Sequence, residues 1–164
     1  MHFYRYRLVY FIGIKILLLF FMTSCSQLDV YEKNKVFSKH EWNAKDTVSG
    51  SIEIKDSGAY YNLFFVIRHT DRYKYNNIWI DCGIKKPGDQ QYSFKKFELF
   101  LGDDVNGWYG SGMNDIWDFR IKLNDVPVKF NKGAVEYQIV NVMRDNPLAQ
   151  VMSSGLRVEK ISSP

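Results

Sequence analysis

The eleven residues YYNLFFVIRHT, positions 60–70, narrow the fold more than any other stretch. Read at period two, Tyr61, Leu63, Phe65 and Ile67 fall on one face, and Tyr60, Asn62, Phe64, Val66 and Arg68 on the other. Both faces are largely apolar, so the stretch predicts a strand covered on both sides, in the middle of a sheet. The same period recurs along the chain. SIEIKD alternates at Ile52 and Ile54, and NNIWIDC sets Ile78 and Ile80 against Trp79. FELFL (97–101) is a further run. WDFRIKL points Trp117, Phe119, Ile121 and Leu123 inward and Asp118, Arg120 and Lys122 outward. AVEYQIVNVM is β-branched and aromatic, and GLRVEKI alternates to the end. Between these runs lie KDSG, KKPGDQ, GDDVNG, LNDVP and FNKG, with Asn106-Gly107 as a tight-turn signal. Seven or eight short strands joined this way predict an all-β fold, a single antiparallel β-sandwich or jelly-roll-like domain. One short helical turn is expected at MRDNPLAQ, with Asp145 as cap and Pro147 inside its start.

The N-terminus follows other rules. Residues 8–22, LVYFIGIKILLLFFM, are apolar except for Gly13 and Lys15, and the run ends just before Cys25. It is shorter than the roughly 20 apolar residues a spanning helix needs, and it holds a lysine where a buried ammonium costs a few kcal/mol. Arg5 and Arg7 give a basic start, and Thr23-Ser24 supply small residues at the border, as in an export signal. Met22-Thr23-Ser24-Cys25 resembles a bacterial lipobox, with Met where Leu is usual. That resemblance implies acylation of Cys25 with palmitate-type chains, cleavage before it, and attachment to the lipid bilayer. An uncleaved anchor and an ordinary secretory cut are the alternatives. The expected division is a cleaved lipoprotein signal peptide over 1–24, a lipidated N-terminus and polar tether over 25–35, and the β-domain over 36–164.

Cleavage changes the charge argument. The full chain carries 22 Lys and Arg against 18 Asp and Glu, but three of the basic residues belong to the signal, which has no acids; 19 against 18 remain. A formal charge of +1 on a mature chain of 140 residues supports no nucleic-acid partner. With Cys25 lipidated, Cys82 has no partner for a disulfide; a Cys25–Cys82 bridge is the alternative. It follows a strand run and reads as a buried thiol rather than a nucleophile, since the mature chain offers only His40 and His69 as a base.

The search for chemistry returns little. Asp103, Asp104 and Asn106 precede Gly107 without EF-hand spacing, and a solvated turn accounts for them. Glu98, Asp103, Asp115 and Asp118 could supply a glycosidase-type carboxylate pair, although 18 acids make a chance pair common. His69 in RHTD lacks a nucleophile motif and reads as a strand-end histidine in a polar turn. No metal-ligand spacing and no phosphate loop are present, so no cofactor and no enzymatic activity are expected. Two features bear on binding. Trp108, Tyr109 and Trp117 cluster among glycines, where exposed rings could stack on sugars; alternatively Trp117 is core and Trp108 covers a strand edge. Arg68 and Arg144 either pair with acids in the fold or anchor a partner.

Three blocks carry a family resemblance: YNLFFVIRHTDRYKYNNIWI (61–80), GDDVNGWYGSGMNDIWDFRIKL (102–123) and YQIVNVMRDNPLAQVMSSGLRVEK (137–160). With the lipobox, they resemble the gliding-motility lipoproteins of the GldH type, found in Bacteroidota. The resemblance implies a membrane-anchored cell-envelope lipoprotein with no known enzymatic activity. It implies a structural or interaction role whose partners are other envelope proteins of the gliding machinery. SQLDV after Cys25 lacks an acidic cluster that serves surface display in some such lipoproteins, which favours a periplasm-facing position. A glycan-binding envelope lipoprotein using the aromatic cluster is the alternative.

Overall fold

The computed structural model describes residues 30–161. Cys25 and the run at 8–22 lie outside them. In chain order the strands are β1 (Val30–Val36), β2 (Glu41–Trp42), β3 (Val48–Ile54), β4 (Tyr60–Thr70), β5 (Asn77–Lys85), β6 (Ser93–Phe100), β7 (Gly102–Asp103), β8 (Gly107–Trp108), β9 (Ser111–Met113), β10 (Ile116–Lys122), β11 (Gly133–Asn141), β12 (Leu148–Ala149) and β13 (Val151–Ile161). Eight of them have seven residues or more, and these are the strands that alternation marks, with β1 added.

All pairing is antiparallel. One sheet runs β1-β13-β4-β10-β9, the other β3-β11-β5-β6. The doubly apolar β4 is the middle strand of the larger sheet, as its two faces predict. Its inner face meets the second sheet: Phe65, Ile67 and Leu156 on one side and Ile78, Ile80, Tyr137 and Ile139 on the other are all fully buried. Burying each such side chain contributes about 1.5–3 kcal/mol. Two short pairs close the structure, β12 with β2 and β7 with β8. Trp42 is completely buried on β2, stacked on Phe37 at 5.0 Å, and its indole N–H donates to the Asp46 carbonyl at 2.8 Å.

Two expectations are corrected. The tether expected to run to residue 35 is strand from Val30 onward, paired along its length with β13. VYEKNKV shows little alternation because it is an edge strand, held by backbone pairing and by charge. Glu32 accepts from Arg157 at 2.9 Å and from Arg120 at 3.1 Å. Burial raises the Glu32 pKa, but the two arginines outweigh it and hold the carboxyl below its usual range. Gly155 on β13, opposite Asn34, lets β1 approach this closely: a Cβ there would overlap Asn34 and the Lys33 carbonyl. The second correction concerns MRDNPLAQ, which forms bends with a cis Asn146–Pro147 peptide rather than a helical turn. Leu148 is buried and pairs with Trp42, and the Asn146 side chain accepts the Ala44 N–H at 2.9 Å, so the segment is fixed from outside.

Candidate interaction surface

The outer face of the smaller sheet carries open apolar surface next to charge. β5 buries Ile78 and Ile80, so Trp79 must point outward, and it is 37% exposed. Beyond the end of β11 the chain stays against β5: the Val142 N–H donates to the Trp79 carbonyl at 3.0 Å. The Trp79 N–H donates to the Met143 sulfur at 3.2 Å, a thioether taking the place of a ladder carbonyl. Trp79, Val142 and Met143 thereby form the floor of a groove of about 490 Å³, with Tyr75, Asn77, Lys96 and Arg144 around it. Lys74 lies over the Tyr75 ring at 5.1 Å and pairs with Asp145 at 3.3 Å. The Tyr75 hydroxyl and then Lys74 hold the Asp145 carboxyl below its usual range. Asp145 is thus committed, and among the described residues Arg144 and Lys96 form no ion pair. The site is an apolar slot rimmed by two cations outside any close ion pair, with Arg144 acting on Asp145 only at longer range.

The other residues marked in the sequence lie elsewhere. Arg68 is on the outer face of the larger sheet, opposite Asp118 on β10, and the two form a two-pronged pair at 2.7 and 3.0 Å. That pairing raises the Arg68 pKa. Trp108 and Trp117 are half-buried and pack against the core. Trp117 stands opposite His69 in the ladder, and its ring covers Gly112. Trp108 meets His69 edge-on at 4.5 Å. Tyr109 is exposed, and its hydroxyl donates to Asp103 at 2.5 Å. Asp103 also accepts from the Val105 and Asn106 backbone and from the Asn106 amide, which depresses its pKa with Tyr109 as the largest cause. Its acceptor capacity is spent on its own loop, as a solvated turn requires. Glu98 accepts from Asn77 at 2.7 Å and Asp118 is held by Arg68, so these acids too are engaged by neighbours. Among the described residues no His, Cys, Asp and Glu side chains gather as a metal cluster.

His69 differs from expectation. It is completely buried rather than in a polar turn, between Phe119 (5.1 Å), Tyr73 (5.0 Å) and Trp108. Nδ1 is 2.7 Å from the Thr70 carbonyl, which can only accept, so Nδ1 carries the proton; Nε2 has no partner. Burial pushes the His69 pKa down. Cys82 is buried and free, and burial pushes its thiol up to about 12.

The architecture defines an all-β sandwich domain. Comparison with known proteins gives its family: the GldH lipoprotein family model matches residues 29–158, and the chain belongs to that family. It is 29% identical over 158 residues to the "Gliding motility lipoprotein GldH homolog" of Christiangramia forsetii, covering 92% of this chain and 94% of the relative. It is 24% identical over 156 residues to the "Gliding motility lipoprotein GldH" of Flavobacterium johnsoniae, covering 90% and 95%. Among solved structures, the infectious bursal disease virus VP2 subviral particle matches at a TM-score of 0.37 and 16% identity. That match covers 84% of this chain, which spans about a third (34%) of the viral one.

Proposed function

We propose that this protein is a lipid-anchored, non-enzymatic component of the gliding-motility machinery, facing the periplasm and holding another envelope protein in its Trp79 groove. The observation that carries the docking reading is the juxtaposition of exposed Trp79 and Val142 and half-buried Met143 with Arg144 and Lys96, which form no ion pair among the described residues. Aromatic and arginine side chains at the centre of a concave patch are the usual anchors of protein interfaces. The matching occupant is a protein segment bearing an apolar side chain next to a carboxylate. The apolar group desolvates on Trp79 and the carboxylate meets the Arg144 fork.

Membrane attachment is assigned to acylated Cys25. Only four residues separate it from Val30, five Cα steps, so the covalent chain lets β1 stand at most ~18 Å from the acylated sulfur's residue. The β-domain works close to the bilayer, and a single surface confines it with its partner at raised effective concentration. The test of the anchor is fractionation of a Cys25→Ser variant, which is expected in the soluble fraction. Retention of that variant in washed membranes would contradict lipidation as the anchor.

A further inference from the structure

We propose that two copies of this chain join edge to edge through β6, extending the four-stranded sheet across a twofold axis that passes through Phe97. This goes beyond the docking role of the groove; the two share only Lys96, which lies on β6 and at the groove rim, so the groove is tested through Trp79, Val142 and Arg144 and the dimer through β6.

β6 closes the smaller sheet. It pairs with β5 in unbroken register from Ser93 to Phe100, and among the described residues no backbone hydrogen bond meets its other edge. Eight residues without proline or bulge offer a continuous edge to another strand, and the lysines on it, Lys95 and Lys96, restrict that strand to one with an acid in register. The phase of the free groups can be read from the ladder. The Leu101 N–H donates across to Asn76 at 2.7 Å, and Trp79 directs its backbone to Val142, away from β6. Odd-numbered residues of β6 therefore bond to β5, and Phe94, Lys96, Glu98 and Phe100 present N–H and C=O to the open side. Their side chains all project from the outer face, and Phe94 and Phe100 are 54% and 58% exposed.

The order Phe-Lys-Glu-Phe along that face is self-complementary. In an antiparallel self-pairing centred on Phe97, Phe94 meets Phe100 of the second copy, and Lys96 meets its Glu98. The twofold axis repeats both pairs. Aromatic pairs and opposite charges directly across a ladder are the favourable combinations. All four positions are those with free backbone groups, so the same register satisfies backbone and side chains together. Centring one residue away, on Lys96, would set lysine against lysine and Phe94 against Glu98. A twofold pairing of this kind is closed, so it gives a dimer rather than a fibre.

The test is disulfide trapping of the full-length lipoprotein in its own membrane. Phe97 opposes itself in a non-hydrogen-bonded pair, where Cα atoms approach to about 4.5 Å, within disulfide range. Phe97→Cys is expected to yield a covalent dimer, and Lys96→Cys, self-opposed only in the rejected register, is not. Phe97 packs on the core, so a second test uses surface changes alone. Lys96→Glu should weaken native dimer, read by mass photometry of the detergent-solubilised lipoprotein. The loss is roughly tenfold for each of the two symmetry-related pairs. Lys96→Glu with Glu98→Lys should restore it to within about twofold. A monomer in both tests overturns the proposal, as does trapping through Lys96→Cys or failure of the charge swap to rescue.

Discussion

Acidification from pH 7.5 to 5.5 should destabilise this domain through one group, His69. The side chain is 0% exposed, its Nδ1–H is given to the Thr70 carbonyl, and the next proton must go to an Nε2 that has no acceptor among Phe119, Tyr73 and Trp108. Burial lowers the folded-state pKa below the ordinary 6.5. The unfolded chain then binds a proton that the folded one refuses, so stability is complete above the unfolded pKa and falls as pH drops through it. If His69 stays neutral in the fold, the loss at pH 5.5 reaches about 1.4 kcal/mol. The carboxylates with lowered pKa values, Glu32, Asp56, Asp103, Glu136 and Asp145, contribute stability lost only further down, below their ordinary 4.5 or 3.8. Urea unfolding followed by tryptophan emission at pH 7.5, 6.5 and 5.5 measures the effect. His69→Phe keeps a ring in the same aromatic cage, loses one hydrogen bond, and should flatten the profile over this interval. A wild-type profile already flat between pH 7.5 and 5.5, or one unchanged in His69→Phe, would refute the reasoning.

Gly155→Ala should cost about 1–3 kcal/mol, because its Cβ would stand 2.9 Å from the Asn34 Cα and overlap the Lys33 carbonyl, forcing β1 off β13; thermal unfolding reads it. Cys82 should resist maleimide labelling in the folded protein at pH 8, with its thiol raised to about 12, and react once unfolded; mass spectrometry of the intact chain distinguishes the two.

Strands whose two faces differ in polarity were legible because burial and period two coincide, as in β10 with Phe119 in and Arg120 out. β1 escaped that reading because its stabilising partners, Arg120 and Arg157, are 88 and 125 residues away. Lysines that look like tether residues are edge residues in the fold. His69 was misplaced for a related reason. RHTD is polar as written, yet alternation from Phe65 and Ile67 turns the imidazole inward and Arg68 outward. The groove was partly visible. Trp79 opposite Ile78 and Ile80 is an outward tryptophan on sequence grounds, and Arg144 was singled out. Their meeting depends on the β5–β11 register, which places Val142 against Trp79. No local pattern encodes that. The Trp108–Tyr109–Trp117 cluster parted on folding, since Trp108 packs onto His69, Trp117 lies over Gly112 against the core, and only Tyr109 is exposed.

The most direct test of the docking account is site-specific photocrosslinking in living cells, with the crosslinker replacing Val142 at the groove. A probe at Tyr109, exposed just after β8 and outside the groove lining, serves as control. The account predicts a discrete adduct with another envelope protein at Val142, lost when Trp79→Ala and Arg144→Glu are added, and no such adduct at Tyr109. Equal adducts at both positions, or an adduct at Val142 indifferent to Trp79 and Arg144, would contradict it.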